Sequence, residues 1–313
     1  MSRRIHAYHF AGEAIRPTME SAFPEREYVV WSRPEELEAG IGEVEILFAT
    51  HPPRGHWAAA RRLRLIQMSG AGVDDLLPAP DLPADVRVAN ARGVHEPEMS
   101  ELLLALVLAV AKRLPRAFAQ QSHREWRMFA GQRLAGSTVG ILGLGAIGYA
   151  LAGRLQALGV RVVGTRRSGE PLEGVDAVYG PEATERVLAE ADIVVVLLPL
   201  TLETRGLLDA RALALMKPRA LLVNAARGGI VDEVALAEAL REGRLGGAAL
   251  DVFEQEPLPA ESPLWAAPNC LITPHVAGLT RDYMERVGEL LIDNVRRLEA
   301  GQPLQNEIDP KRG

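Results

Sequence analysis

The sequence predicts an α/β protein built from two doubly wound parallel-sheet domains. Three observations carry that expectation. Short apolar strands alternate with amphipathic helical stretches over most of the 313 residues, as βαβ units require. The strands fall into two groups, separated by one long helical segment. The second group opens with a strand, a glycine-rich turn and a helix, "TVGILGLGAIG" at 138–148.

In the first group the strands read "IHAYHF" (5–10), "EYVVW" (27–31), "EILFA" (45–49), "LRLIQM" (63–68) and "VRVA" (86–89). A long helix then runs from about Glu96 to Leu114. Pro97 suits its first turn, where a missing N–H costs little, and Pro115 marks a stop or kink. The apolar run "LLLALVLAVA" (102–111) lies inside it, bracketed by Glu101 and Lys112. Ten residues are too few to span a bilayer as a helix, so a buried helix is expected.

The second group contains "TVGIL" (138–142), "VRVVG" (160–164), "DIVVVLL" (192–198), "ALLVNA" (220–225), "GGAAL" (246–250) and "CLIT" (270–273). Helices between them cover roughly 146–158, 181–190, 209–216 and 232–241, and a final helix covers about 280–299. With 48% hydrophobic and 24% charged residues, the composition is that of a soluble globular protein. The net charge of -6, with no basic block, argues against a nucleic-acid or anionic-membrane partner. Cys270 is the only cysteine, so no intrachain disulfide is possible. Without a signal peptide, a cytoplasmic home is expected.

The glycine turn is the first chemical signal. Gly143, Gly145 and Gly148 stand at the spacing G-x-G-x-x-G, between an apolar strand and a helix, with another strand soon after. Gly143 allows the tight turn, Gly145 lets the backbone approach a pyrophosphate, and Gly148 lets helix and strand pack closely. The helix start supplies unpaired N–H groups and the positive end of its dipole. A dinucleotide is therefore expected there.

The next strand ends in "RRS", Arg166 to Ser168. A carboxylate about twenty residues after the turn would accept from a ribose 2′-OH and repel a 2′-phosphate. This chain carries Arg166 and Arg167 instead, and a guanidinium fork suits phosphate oxygens. NADP is thus expected over NAD, with solvated surface charge as the alternative.

Three later stretches each begin as a buried strand and end in polar residues: "LLVNAARGGIVDE" (221–233), "GAALDVFEQEPLP" (247–259) and "CLITPHVAGLT" (270–280). Ligands gather outside the carboxyl ends of strands in open α/β sheets. Arg227, Asp251, Glu256 and His275 follow these strands and suit hydride chemistry on a carbonyl. His275 matches proton donation near neutral pH, and Glu256 would orient it and favour imidazolium. Arg227 would hold a carboxylate and polarise the carbonyl, and Asp251 would accept from a nicotinamide amide. His6, His9, His56 and His123 have no comparable context. No metal site is expected.

With these stretches, the chain resembles the D-isomer-specific 2-hydroxyacid dehydrogenase family over nearly its full length. The motifs are "GAGVDDL" (70–76), "GILGLGAIG" (140–148), "LLPLTLETRGLL" (197–208), "NAARGGIVDE" (224–233), "LDVFEQEPLP" (250–259) and "TPHVAG" (273–278). "HPP" (51–53), "GAGVDDLL" and "EPLPAESPLW" (256–265) are most similar to the glyoxylate/hydroxypyruvate reductase branch, as is Arg167-Ser168. The resemblance implies a catalytic triad of Arg227, Glu256 and His275, and substrate carboxylate binding by the backbone of Ala71 and Gly72. It implies cofactor contacts from Ala146, Ile147, Pro199, Ala225, Ala226 and Asp251.

The resemblance also implies a Rossmann-type cofactor domain over 96–279 and a flavodoxin-like substrate domain over 1–95 and 280–313, with a cleft between. A homodimer built on the 100–140 segment is implied too, with Trp126 as a candidate to reach a partner. No regulatory extension follows the last helix, which counts against the longer phosphoglycerate-oxidising members. The function expected is NADPH-preferring reduction of small 2-ketoacids, glyoxylate or hydroxypyruvate. Two rivals remain: another family dehydrogenase, such as one for formate or phosphite, and a non-enzymatic dinucleotide sensor.

Overall fold

The strands of the first group pair side by side as a parallel sheet. The computed structural model describes residues 4–309. Among them the chain divides into two units, Met1–His95 with Leu279–Gly313, and Glu96–Gly278.

In the first unit, β1 (Arg4–Tyr8), β2 (Glu27–Trp31), β3 (Ile46–Ala49), β4 (Leu65–Met68) and β5 (Arg87–Ala89) stand in the order β5-β4-β3-β1-β2. This is the flavodoxin-like order. The short strand Glu307–Ile308 adds to β5 antiparallel. Strand β3 shows why the runs are continuously apolar. Ile46 and Phe48 face a cluster containing Tyr283, Val287, Leu291 and Val295 of the C-terminal helix Tyr283–Glu299. Leu47 and Ala49 face the opposite cluster, with Trp57, Ile66 and Leu76. A parallel strand covered on both faces has no polar side to present.

The second unit is a seven-stranded sheet made of β6 (Thr138–Leu142), β7 (Arg161–Thr165), β8 (Ala177–Tyr179), β9 (Ile193–Val196), β10 (Leu221–Asn224), β11 (Gly247–Leu250) and β12 (Cys270–Ile272). Its order is β12-β11-β10-β9-β6-β7-β8, and every pairing is parallel. The chain reverses direction across the sheet at β6, which lies between β7 and β9. That switch point is where doubly wound sheets bind ligands. Helix α3 (Glu96–Ala111) buries Leu103, Leu106, Val107 and Val110 against Val139, Ile141 and Val195 on one face of this sheet.

Several elements differ from expectation. The long helix stops at Ala111, not Leu114; Arg113 takes a left-handed φ of 58°, and Pro115 sits in the first turn of a new helix, α4 (Leu114–Ser122). Proline thus starts a helix here as well as ending one. The first strand ends at Tyr8 because the Gly12 N–H turns back to the His9 carbonyl. The helices Arg16–Ala22 and Pro34–Gly40 bury only Met19 and Leu37 respectively, too little for a readable period. Strand β8 is three half-buried residues at a sheet edge.

Two histidines give the first unit a pH dependence. His6 is 2% and His9 3% exposed. The His6 ring lies 4.5 Å from Trp31 and the His9 ring 5.2 Å from Phe48, centroid to centroid, and His9 Nδ1 accepts the Ala11 N–H. Burial, aided by the charges of Arg4 at His6 and His51 at His9, lowers both pKa values from 6.5 to about 4. Between those values the unfolded chain binds protons that the folded chain refuses, so stability falls as pH drops through the window. From pH 7 to pH 5 the expected loss is about 2 kcal/mol per histidine, ahead of most carboxylate titration. Urea midpoints at the two pH values check this, and His6→Leu should remove about half of the difference. A midpoint unchanged over this range would contradict it.

Candidate active site

The turn after β6 is shaped by backbone crowding. Gly143 has φ +102°, and a Cβ there would lie 2.7 Å from the Leu197 carbonyl oxygen. Gly148 packs equally close to the Gly143 carbonyl. Gly145, by contrast, opens on space: nothing lies within 4 Å of where its Cβ would be. It is the N-cap of α5 (Ala146–Gln156), and no side chain caps that helix. The N–H groups of Ala146, Ile147 and Gly148 therefore head a helix start with room above it. These residues fit a dinucleotide pyrophosphate.

Arg166, Arg167 and Ser168 follow β7 directly, next to the switch strand. The Arg166 N–H is bonded to the Tyr179 carbonyl, and the Ser168 hydroxyl accepts the Glu170 N–H. Arg166 is half-buried and Arg167 exposed. Among the described residues neither guanidinium has an ion-pair partner. The Arg167 charge helps hold Glu203 below the usual carboxylate range, after the Thr201 hydroxyl bond and the Glu203 backbone bond. Arg167 thus acts on the loop after β9, which also carries the exposed Pro199. Both guanidinium forks remain available to a phosphate.

The loop after β10 carries Ala225, Ala226 and Arg227. The Asn224 side chain braces it, accepting the Ala226 N–H at 3.1 Å and donating to the Arg227 carbonyl at 3.2 Å. Arg227 is half-buried, and its Nη1 donates to the Ala226 carbonyl at 2.7 Å. Gly228 brings this loop against the one after β11: a Cβ there would lie 1.9 Å from the Phe253 carbonyl oxygen. Gly228→Ala should therefore push apart the loops bearing Arg227 and Glu256, lowering Tm by several degrees or making the protein insoluble. A thermal melt identical to the parent would contradict it.

Asp251 and His275 are joined by the backbone. The His275 N–H donates to the Asp251 carbonyl at 2.8 Å, and His275 itself takes a left-handed φ of 53°. A β-carbon residue held there costs energy that the surroundings must supply, a recurring feature of functional sites. The Asp251 carboxylate is fully buried and accepts from the Thr273 hydroxyl (2.5 Å) and the N–H groups of Val276 (3.0 Å) and Ala277 (2.9 Å). It anchors the turn that carries His275, and its two oxygens retain acceptor capacity beyond these three bonds.

His275 Nδ1 lies 2.7 Å from Glu256 Oε2, and Glu256 Oε1 accepts the Phe253 N–H at 2.9 Å. The imidazole is about two-fifths exposed, so Nε2 is the nitrogen left for chemistry. A carboxylate on Nδ1 fixes the ring. Arg227, Asp251, Glu256 and His275 thus follow three adjacent strands, β10, β11 and β12, with their loops in contact.

Ala71 and Gly72 lie in the first unit, in the loop after β4, both half-buried. The Ala71 carbonyl accepts from Asn90 Nδ2 at 2.5 Å. Nearby, His51 Nδ1 is 2.7 Å from Asp75, and Arg54 donates to the carbonyls of Asp74 and Asp75. Asn224, Thr273 and Glu233 escaped sequence reasoning. They stand at the ends of the stretches 224–233 and 273–278, but their partners lie far along the chain or on the backbone, so the sequence assigns them no role. Among the described residues no group of three or more His, Cys, Asp or Glu is arranged to hold a metal ion, and no helix is long and apolar enough to cross a membrane.

The profile of the family described as D-isomer specific 2-hydroxyacid dehydrogenase, NAD binding domain, matches residues 104–277. A D-3-phosphoglycerate dehydrogenase from Methanocaldococcus jannaschii is 33% identical over 285 residues, 88% of this chain. The chain spans about half, 53%, of that relative's length. Among solved structures, an NADPH-dependent glyoxylate/hydroxypyruvate reductase from Sinorhizobium meliloti in complex with NADP and sulfate is 32% identical with a TM-score of 0.87, covering 99% of each chain. A D-isomer specific 2-hydroxyacid dehydrogenase from Xanthobacter autotrophicus Py2, in complex with NADPH and MES, is 38% identical with a TM-score of 0.83, covering 100% of this chain and 99% of that one.

Proposed function

The chain belongs to the D-isomer specific 2-hydroxyacid dehydrogenase family, NAD(P)-dependent oxidoreductases of small hydroxyacids and ketoacids, and from that premise we propose that it is an NADPH-preferring reductase of small 2-ketoacids such as glyoxylate and hydroxypyruvate. The observation that carries the reading is the 2.7 Å pairing of His275 with Glu256 at a left-handed backbone position. His275 protonates the keto oxygen through Nε2, and Glu256 holds the ring. Arg227 holds the substrate carboxylate and polarises the carbonyl. Ala71 and Gly72, in the 1–95 and 280–313 portion read as substrate-binding, are read as backbone N–H donors to a substrate carboxylate.

The 96–279 portion holds the dinucleotide. Gly143, Gly145, Ala146, Ile147 and Gly148 cradle the pyrophosphate; Arg166, Arg167 and Ser168 meet the 2′-phosphate. Pro199, Ala225, Ala226 and Asp251 contact the remainder, Asp251 through an acceptor site toward the nicotinamide amide. When bound, the reduced nicotinamide supplies the hydride for the keto carbon. The Sinorhizobium meliloti and Xanthobacter autotrophicus structures, both bound to NADP or NADPH, support the cofactor preference.

The protein is read as a cytoplasmic homodimer built on the 100–140 segment. Trp126 is 97% and Met128 94% exposed there, and Phe118 on α4 is 55% exposed.

Initial rates of NADPH oxidation across a ketoacid panel test the reading. Glyoxylate and hydroxypyruvate should turn over fastest, ahead of phosphorylated or sulfonated ketoacids. Fastest turnover of a phosphorylated acid would move the assignment toward the phosphoglycerate branch. Silence with every ketoacid, alongside tight dinucleotide binding, would favour a sensor.

A further inference from the structure

Glu233 lies outside the Arg227–Glu256–His275 constellation yet is bound to it. It is the first residue of α8 (Glu233–Arg241), immediately after the N-cap Asp232. Its Oε1 accepts the Glu254 N–H at 2.6 Å, across 21 residues of sequence. In the same turn, Glu256 Oε1 accepts the Phe253 N–H and Glu256 Oε2 meets His275. Gly228 packs against the same Phe253–Glu254 peptide group, close to the Phe253 carbonyl and Glu254 nitrogen. The turn bearing Glu256 is thus held by both the Arg227 loop and the Glu233 carboxylate.

We propose that Glu233 is a positioning residue for the Glu256–His275 pair: its carboxylate fixes the Phe253–Glu256 turn through the Glu254 N–H. Glu233 is half-buried, and burial raises its pKa, the Glu254 N–H bond opposes this, and the charges of Glu254, Glu256 and Asp232 raise it further.

Glu233→Gln keeps an acceptor for the Glu254 N–H and removes only the charge; Glu233→Ala removes both.

The inference rests on the reductase reading for its kinetic arm only. NMR of the His275 ring in the unliganded protein reads its placement against Glu256 without catalysis, and His275→Ala identifies the resonances. In Glu233→Ala the His275 ring resonances should shift and broaden, and in Glu233→Gln they should return to those of the parent. Glu233→Ala should lower kcat about tenfold with the dinucleotide Kd unchanged, and Glu233→Gln should recover most of that loss. His275 resonances that superimpose on the parent in Glu233→Ala, or parent-like kcat in that variant when folded, overturn the positioning role. A ketoacid panel that stays silent in the parent overturns the reductase reading and leaves the NMR comparison to decide the inference.

Discussion

Replacing His275 by alanine is expected to cut kcat for ketoacid reduction by about 10²–10⁴-fold, the usual contribution of a placed general acid. Dinucleotide affinity should be unchanged, because the glycine turn and the arginines lie on β6 and β7, across the sheet from β12. The two parts of this expectation separate chemistry from binding. Loss of a residue that only packed would weaken folding or affinity, and His275 is about two-fifths exposed and packs little. Its ring is instead aimed by Glu256 at 2.7 Å and by the Asp251 carbonyl through its own N–H. Initial rates of NADPH oxidation and a fluorescence titration of NADPH on the same purified variant check the expectation. Turnover at the parent's rate would remove His275 as the acid.

The second large effect concerns Arg166 and Arg167. Changing both to glutamine should lower kcat/KM for NADPH by about 100-fold, the loss of roughly 3 kcal/mol from charge-assisted bonds to a phosphate. For NADH, which lacks that phosphate, the change should stay within about twofold. The NADPH effect in the parent should also weaken as salt rises, since exposed charges are screened. The single variants apportion the effect. Arg166 is half-buried and pinned by its backbone to Tyr179, whereas Arg167 already shares its charge with the Glu203 loop. Equal losses with both cofactors would make the arginines ordinary surface charge.

Much of this was legible because it is local or periodic. The glycine spacing at 143–148, the apolar strands and the loops ending in Arg227, Glu256 and His275 are all contiguous stretches. Both sheets bury their strands on two faces, which is why the strand runs stood out. What stayed hidden depends on partners distant in sequence. The Asp251 carboxylate reads as a ligand contact, but Thr273, Val276 and Ala277, at least 22 residues away, occupy most of it. Glu233 reads as a charge at a helix start, and only folding brings the Glu254 N–H to it. His6 and His9 carried no signal because an alternating strand pattern does not say what shields a polar ring. The short helices Arg16–Ala22 and Pro34–Gly40 bury one side chain each, below any periodic signal.

The most direct test of the central claim is the ratio of kcat/KM for NADPH to that for NADH in the parent protein, with hydroxypyruvate as the acceptor. The account predicts efficient reduction with NADPH and a ratio well above about ten, as expected if the Arg166 and Arg167 guanidinium groups meet the 2′-phosphate as proposed. A ratio at or below one, or no reduction with either cofactor, would contradict it.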